Sequence, residues 1–193
     1  MTKILLISGS LRKDSFNKLL LQAVEALAPE GVTFEYADIG LLPLFNDDLD
    51  TDEARPNAVT NFRKQVRESD GILIASPEYN YAIPGVLKNA LDWGSRPYAQ
   101  GVWAGKPFAV MGASPGFMGA ARSTQDTRAI AIDLQARVFA AGEILLASAH
   151  TAFDAEGKLT NENTRNVLVD YITRYVSFIE DVKREKTPSG DLH

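Results

Sequence analysis

A chain of 193 residues, 45% hydrophobic and 23% charged, has the composition of one globular domain, which excludes the disordered and membrane-embedded classes. Its formal charge of −5 excludes a general nucleic-acid binder, which needs a basic face to displace counterions from phosphates. The absence of cysteine excludes disulfides, thiolate nucleophiles and Cys-ligated metals, so any redox chemistry must come from a bound group.

In chain order, residues 4–7 form a continuous apolar run, the mark of a strand covered on both faces. The run stops at Ser8, too early for a secretory signal, and no apolar run approaches the about 20 residues that span a bilayer; a cytoplasmic location is expected. The stretch SGSLRKDSFN at 8–17 leads into a helix whose apolar stripe is Leu19, Leu20, Ala23, Val24 and Leu27. Residues 32–37 are a further strand candidate. Residues 46–56 are acidic, and Asp48, Asp50 and Asp52 copy the start of a calcium loop. Glu53 and Val59 stand where that loop needs glycine and a bidentate glutamate, so the stretch reads as a solvated connection.

Val59, Phe62 and Val66 mark a second helix, residues 72–75 a buried strand, and Pro84 the first turn of a helix carrying Val86, Leu87, Ala90 and Leu91. Residues 108–111 repeat the buried-strand pattern. Residues 119–140 read as one long helix with the stripe Ile130, Leu134 and Val138, and with Ala131, Ile132 and Phe139 as extra apolar positions that mark a subunit contact or a deeply packed helix. A weaker run at 144–147 precedes a last helix from Val167 to Ile179. Five strand–helix alternations predict a doubly wound α/β fold, a five-stranded parallel sheet in a single domain over 1–185, with a loose tail at 186–193.

In such sheets ligands collect at the carboxyl ends of the strands. The first loop offers helix-start N–H groups near residues 15–18, hydroxyl and amide donors on Ser10, Ser15 and Asn17, and the Arg12 cation, a set suited to phosphate. The bland alternative is that Asp14 or Ser15 merely caps the helix and Arg12 is a solvated cation. The spelling excludes a Walker loop, since Asp14 stands where its second glycine belongs, and a dinucleotide fingerprint, since the loop has one glycine. The second loop, SPEYNYAIPG, is stiffened by two prolines, and its N–H groups could face a planar heteroaromatic ring flanked by Tyr79 and Tyr81; surface or subunit packing of the tyrosines is the alternative. The third, GASPGFMG, allows close backbone approach to a ligand or simply a tight turn.

The combination of GSLRKDSFN, SPEYNYAIPGVLKNALDW and GASPGFMGAAR resembles the NADPH-dependent FMN reductase family, most closely its chromate and quinone reductase branch, over about residues 3–142. The resemblance implies a flavodoxin-like fold that binds FMN noncovalently and takes electrons from NADPH or NADH. It places Ser10, Arg12, Ser15, Phe16 and Asn17 around the FMN phosphate. Pro77, Glu78, Tyr79, Asn80 and Tyr81 would line the isoalloxazine, and Ser114 and Gly116 would meet the flavin or its ribityl chain. Arg122 looks like the family arginine near the subunit interface and the mouth of the site. Two departures stand out: the Asp14 carboxylate lies close to the expected phosphate, and Ala121 replaces a glycine often found before the arginine.

The implied activity is hydride transfer through flavin N5 to quinones, azo compounds, chromate or free flavin by a ping-pong scheme, in a homodimer or homotetramer. No catalytic side chain, metal, nucleic acid or membrane is called for, and His150 reads as structural. The alternative is a flavodoxin-type electron carrier without a substrate of its own, which the modest charge of −5 disfavours.

Overall fold

The apolar runs form the centre of a parallel sheet. In the computed structural model, which describes residues 1–97 and 100–186, β1 (Thr2–Ser8), β2 (Val32–Ala37), β3 (Gly71–Ser76) and β4 (Pro107–Ala113) lie in the order β2-β1-β3-β4. All residues of β3 and β4 are buried, which is why their sequences do not alternate. Along β1, successive residues serve opposite faces. Ile4 and Leu6 join Leu73, Ala75, Ala109 and Met111 beneath α1 (Phe16–Leu27) and α5 (Glu162–Lys186). Leu5 and Ile7 join Ile72, Ile74, Phe108 and Val110 beneath α2 (Asn57–Glu68), α3 (Gly85–Gly94) and α4 (Ala121–Asp133). Pro84 precedes α3 and accepts the N–H groups of Leu87 and Lys88, both at 3.0 Å.

The fifth position in the sheet is shared. β5 (Arg137–Val138) pairs with Pro107 and Phe108, and β6 (Leu145–Leu146) pairs with Gly112 and Ala113, so two short segments flank opposite ends of β4. Between them the chain leaves the ladder, and the Val110 carbonyl accepts instead from the Tyr171 hydroxyl at 3.2 Å and Arg128 Nη2 at 3.5 Å. Arg128 is itself held by Glu143.

This edge corrects the long helix expected over 119–140. The helix ends at Asp133, where Gln135 turns into the left-handed region (φ 60°) and the Ala136 N–H closes back on the Ala131 carbonyl at 2.9 Å. Val138 is then strand, and Phe139 is buried against the rings of Tyr171 and Tyr175, 5.4 and 5.3 Å away. Of the three extra apolar positions, Ala131 and Phe139 are core and Ile132 is 64% exposed, so a broad apolar helix face does not exist.

The acidic connection is also less solvated than its composition suggests. The side chain of Asp50 is buried and accepts from Arg63 Nη1 at 2.9 Å and Arg55 Nε at 3.0 Å. Just before this connection, Trp93 Nε1 donates to the Pro43 carbonyl at 2.7 Å, and Asn89 bonds the backbone of Pro43 and Phe45, strapping residues 43–45 across α3. Of the expected tail, residue 186 closes α5 and 187–193 lie outside the described residues. No helix among the described residues is long and apolar enough to cross a membrane.

Candidate active site

Because β1, β3 and β4 are neighbours, the turns leaving their carboxyl ends lie side by side. After β1 the chain passes to one face of the sheet and after β3 to the other, opening a crevice between the first two turns. The approach is close: the Gly9 N–H donates to the Ala75 carbonyl at 2.8 Å, and a Cβ added at Gly9 would lie 3.0 Å from Ser76 Oγ and 3.2 Å from Ser76 Cα. Glycine is what lets the first turn touch the second.

In the first turn Ser10 is buried. Its Oγ accepts the Arg12 N–H at 3.3 Å and lies 3.4 Å from the Tyr79 hydroxyl, joining the first and second turns. Ser15 is the N-cap of α1 and accepts the Asn17 N–H at 3.2 Å. Phe16 stands near Phe153, with ring centroids 6.5 Å apart, and carries the exposed Arg12 guanidinium 5.2 Å from its own centroid. The capping and anion readings prove compatible. With the cap in place, the N–H groups of Ser15, Phe16 and Lys18 still have no acceptor among the described residues. The Asn17 side chain is engaged elsewhere: Nδ2 donates to the Ala113 carbonyl at 3.0 Å and Oδ1 accepts the Ala113 N–H at 2.9 Å.

The second turn is a tight hairpin. Tyr79 and Ala82 exchange both backbone bonds at 3.1 Å, and Asn80 (φ 51°) and Tyr81 (φ 70°) occupy the left-handed region between them. Asparagine accepts that conformation readily; tyrosine needs a brace. Arg122, at the start of α4, supplies one, with its guanidinium 4.2 Å from the Tyr81 centroid and an ion pair to Glu78. Pro77 is buried, Tyr79 and Tyr81 are 50% and 70% exposed, and the N–H groups of Glu78, Asn80 and Tyr81 have no acceptor among the described residues.

In the third turn Ser114 donates its N–H to the Leu146 carbonyl at 3.0 Å and uses its Oγ to accept the Gly116 N–H at 3.1 Å. Phe117 is 86% exposed. All twelve residues expected at the site thus stand on one rim, although the side chains of Ser10, Ser15, Asn17, Glu78 and Ser114 already hold bonds within the protein. Two residues outside that set complete the frame. Ser76 and Ser123, both fully buried, share a 2.9 Å hydroxyl contact that ties the end of β3 to α4. A serine closing an otherwise apolar strand was the available signal for Ser76. The exposed His150 stands apart from these contacts. A separate cleft of about 440 Å³, lined by Ser95, Arg96, Trp103 and Asp133, lies where α3 and α4 end, on the opposite rim.

The sequence profile of the NADPH-dependent FMN reductase family matches residues 2–151. The chain belongs to this family. It is 41% identical over 179 residues to a 2-hydroxy-1,4-benzoquinone reductase of a Burkholderia species, covering 93% of this chain and 97% of the relative. It is 44% identical over 166 residues to an NAD(P)H-dependent FMN reductase of Pseudomonas aeruginosa, covering 86% and 89%. Among solved structures, the flavoenzyme NAD(P)H:(acceptor) oxidoreductase FerB of Paracoccus denitrificans superposes with a TM-score of 0.87 at 36% identity, over 94% of this chain and 98% of that one.

The protein is therefore a flavodoxin-like, NAD(P)H-dependent FMN oxidoreductase of the FMN reductase and quinone reductase group. The electron-carrier alternative finds no support among these relatives. The rim suits the cofactor on its own terms. A phosphate dianion needs several donors and a cation, which the α1 start and Arg12 offer, and a flavin ring edge needs N–H donors, which the second turn offers.

Proposed function

We propose that this chain reduces quinones with electrons from NAD(P)H, using FMN held by the three adjacent turns. The observation that carries the reading is the pairing of two donor sets on neighbouring turns: the N–H groups of Ser15, Phe16 and Lys18, and those of Glu78, Asn80 and Tyr81. In this reading Ser10, Arg12 and the N–H groups of Ser15, Phe16 and Lys18 hold the phosphate, where the helix end and the guanidinium favour negative charge, while the Asn17 N–H is spent on the cap. Pro77, Glu78, Tyr79, Asn80 and Tyr81 line the ring, chiefly through main-chain groups, and Ser114 and Gly116 border the ribityl side.

FMN, when bound, supplies the two-electron chemistry that no side chain of this protein can perform. The protein's part is to orient the ring and to direct fixed N–H dipoles at the edge where negative charge builds on reduction. The exposed Tyr79, Tyr81 and Phe117 give flat, conjugated acceptors an apolar approach, which favours quinones, with azo compounds and free flavin sharing the same shape. Chromate, a small oxyanion, would gain little from these rings. The quinone-reducing relatives support the same acceptor class. NAD(P)H and acceptor use one open face in turn, giving ping-pong kinetics. The exposed apolar residues of this rim also support assembly into a homodimer or homotetramer.

Initial rates with NADPH varied at several fixed benzoquinone concentrations test the shared face: parallel reciprocal plots are expected, and intersecting plots reject it. Loss of one charge-assisted phosphate contact in Arg12→Ala should weaken FMN by roughly tenfold in a fluorescence titration. Unchanged affinity rejects the phosphate placement.

A further inference from the structure

The amide of Asn17 faces the backbone of Ala113, 96 positions away in sequence, with both of its polar atoms. Oxygen meets the N–H and nitrogen meets the carbonyl, so the two bonds fix the orientation of the amide without ambiguity. The residue is 2% exposed. An asparagine side chain presents the donor and acceptor of a peptide group, and here it pairs with Ala113 as an adjoining strand would.

The two ends of this link matter. Ala113 is the last residue of β4, and the third turn begins at Ser114, itself bonded to Leu146. The Asn17 backbone belongs to the first turn of α1 and donates to the capping Ser15. One residue therefore sets the distance between the helix start and the strand end from which the third turn departs.

We infer that Asn17 is a positioning residue: its side chain is a crossbar between the first and third turns rather than a phosphate ligand, and it governs the fit of the flavin ring as much as that of the phosphate. The inference rests on the FMN placement proposed above for its ligand readout, and on the protein alone for its second readout.

Riboflavin, which lacks the phosphate, separates the two roles. Native protein, Asn17→Ala, Asn17→Ser and Arg12→Ala are titrated with FMN and with riboflavin at a temperature where circular dichroism shows each folded, and Ala113 amide exchange is followed in the flavin-free proteins. Loss of the crossbar should weaken FMN and riboflavin by a common factor and speed Ala113 exchange by about fivefold to tenfold, the scale of one net hydrogen bond. Arg12→Ala should weaken FMN alone. If the Asn17 variants weaken FMN while leaving riboflavin binding and Ala113 exchange at native values, Asn17 is a phosphate ligand and the inference is overturned. If native protein binds neither flavin, the FMN placement fails, and Ala113 exchange still decides whether the crossbar exists. Asn17→Ser, the milder change, carries the comparison should Asn17→Ala fail to fold.

Discussion

The carboxylate of Glu78 accepts two bonds from Arg122, one from guanidinium Nη1 at 3.1 Å and one from the backbone N–H at 2.9 Å. The pair pins the second turn to the start of α4 and holds the guanidinium over Tyr81, whose left-handed backbone costs on the order of 1 kcal/mol. Arg122 is nearly half exposed, so the ion pair and the ring contact contribute at most about 1 kcal/mol each. Those magnitudes match the strain being held and little more. Arg122→Ala should therefore relax the hairpin without harming the fold: FMN affinity falls about threefold to tenfold while Tm moves by no more than about 3 °C. A large Tm loss with native FMN affinity would assign Arg122 to the fold instead of the loop.

Gly112 lies where the second and third turns crowd together. A Cβ there would meet the Gly119 carbonyl at 2.8 Å, the Ser76 carbonyl at 3.0 Å and Ala120 Cβ at 2.9 Å. Two of the three obstacles are backbone oxygens, which cannot rotate away. Gly112→Ala should cost about 1–3 kcal/mol by urea denaturation and weaken FMN, because relief of the clash displaces the turns themselves. Native stability in the variant would mean that the turns have slack.

How far the sequence reveals this molecule depends on how local the decisive contacts are. Strands buried on both faces announce themselves, since β3 and β4 carry no polar side chain except the Ser76 that closes β3. The three loops are legible because their glycines, prolines and hydroxyls follow directly on those strands. The end of α4 was hidden: Ile130, Leu134 and Val138 keep helical spacing across the break, which falls at Gln135 without a glycine or proline to mark it. The burial of Asp50 was hidden by its acidic neighbours, its partner Arg63 lying 13 residues on. At the site, composition identified Asn17 and Glu78 as polar loop residues, but the backbone and side chain that engage them arrive from 96 and 44 residues away.

Tyr175 ties α5 to two strands of the sheet at once. Its buried hydroxyl lies 2.6 Å from the Ile72 carbonyl on β3 and 3.0 Å from the Pro107 carbonyl on β4. Burial pushes its pKa well above the ordinary tyrosine value, so it remains a donor throughout the accessible pH range. Tyr175→Phe keeps the ring packing and removes the single O–H donor that the two interior carbonyls share. The expected loss is about 1–3 kcal/mol in urea denaturation, with FMN affinity unchanged because the contact lies at the amino ends of the strands. A coupled loss of FMN would show that α5 acts on the loops.

The Asp50–Arg63 pair predicts how the fold responds to acid. Both side chains are buried, at 6% and 3% exposure, and Arg55 adds a second cation. Burial alone would raise the Asp50 pKa, but the bonds and charges of Arg63 and Arg55 outweigh it and hold the carboxyl below its ordinary value. A carboxyl depressed in the folded state binds fewer protons there than in the unfolded chain. Its contribution is therefore complete above the unfolded pKa of about 3.9 and disappears as pH falls through the lower folded value. Asp50→Asn leaves the Arg63 charge buried without a counterion and should cost about 2–4 kcal/mol at pH 7. Because asparagine does not titrate, the gap between variant and native protein should stay constant from about pH 7 to pH 5 and narrow below about pH 4. Urea midpoints measured across that range decide the matter: a gap that persists undiminished to about pH 3 would mean that the Asp50 charge is not what holds this segment to α2.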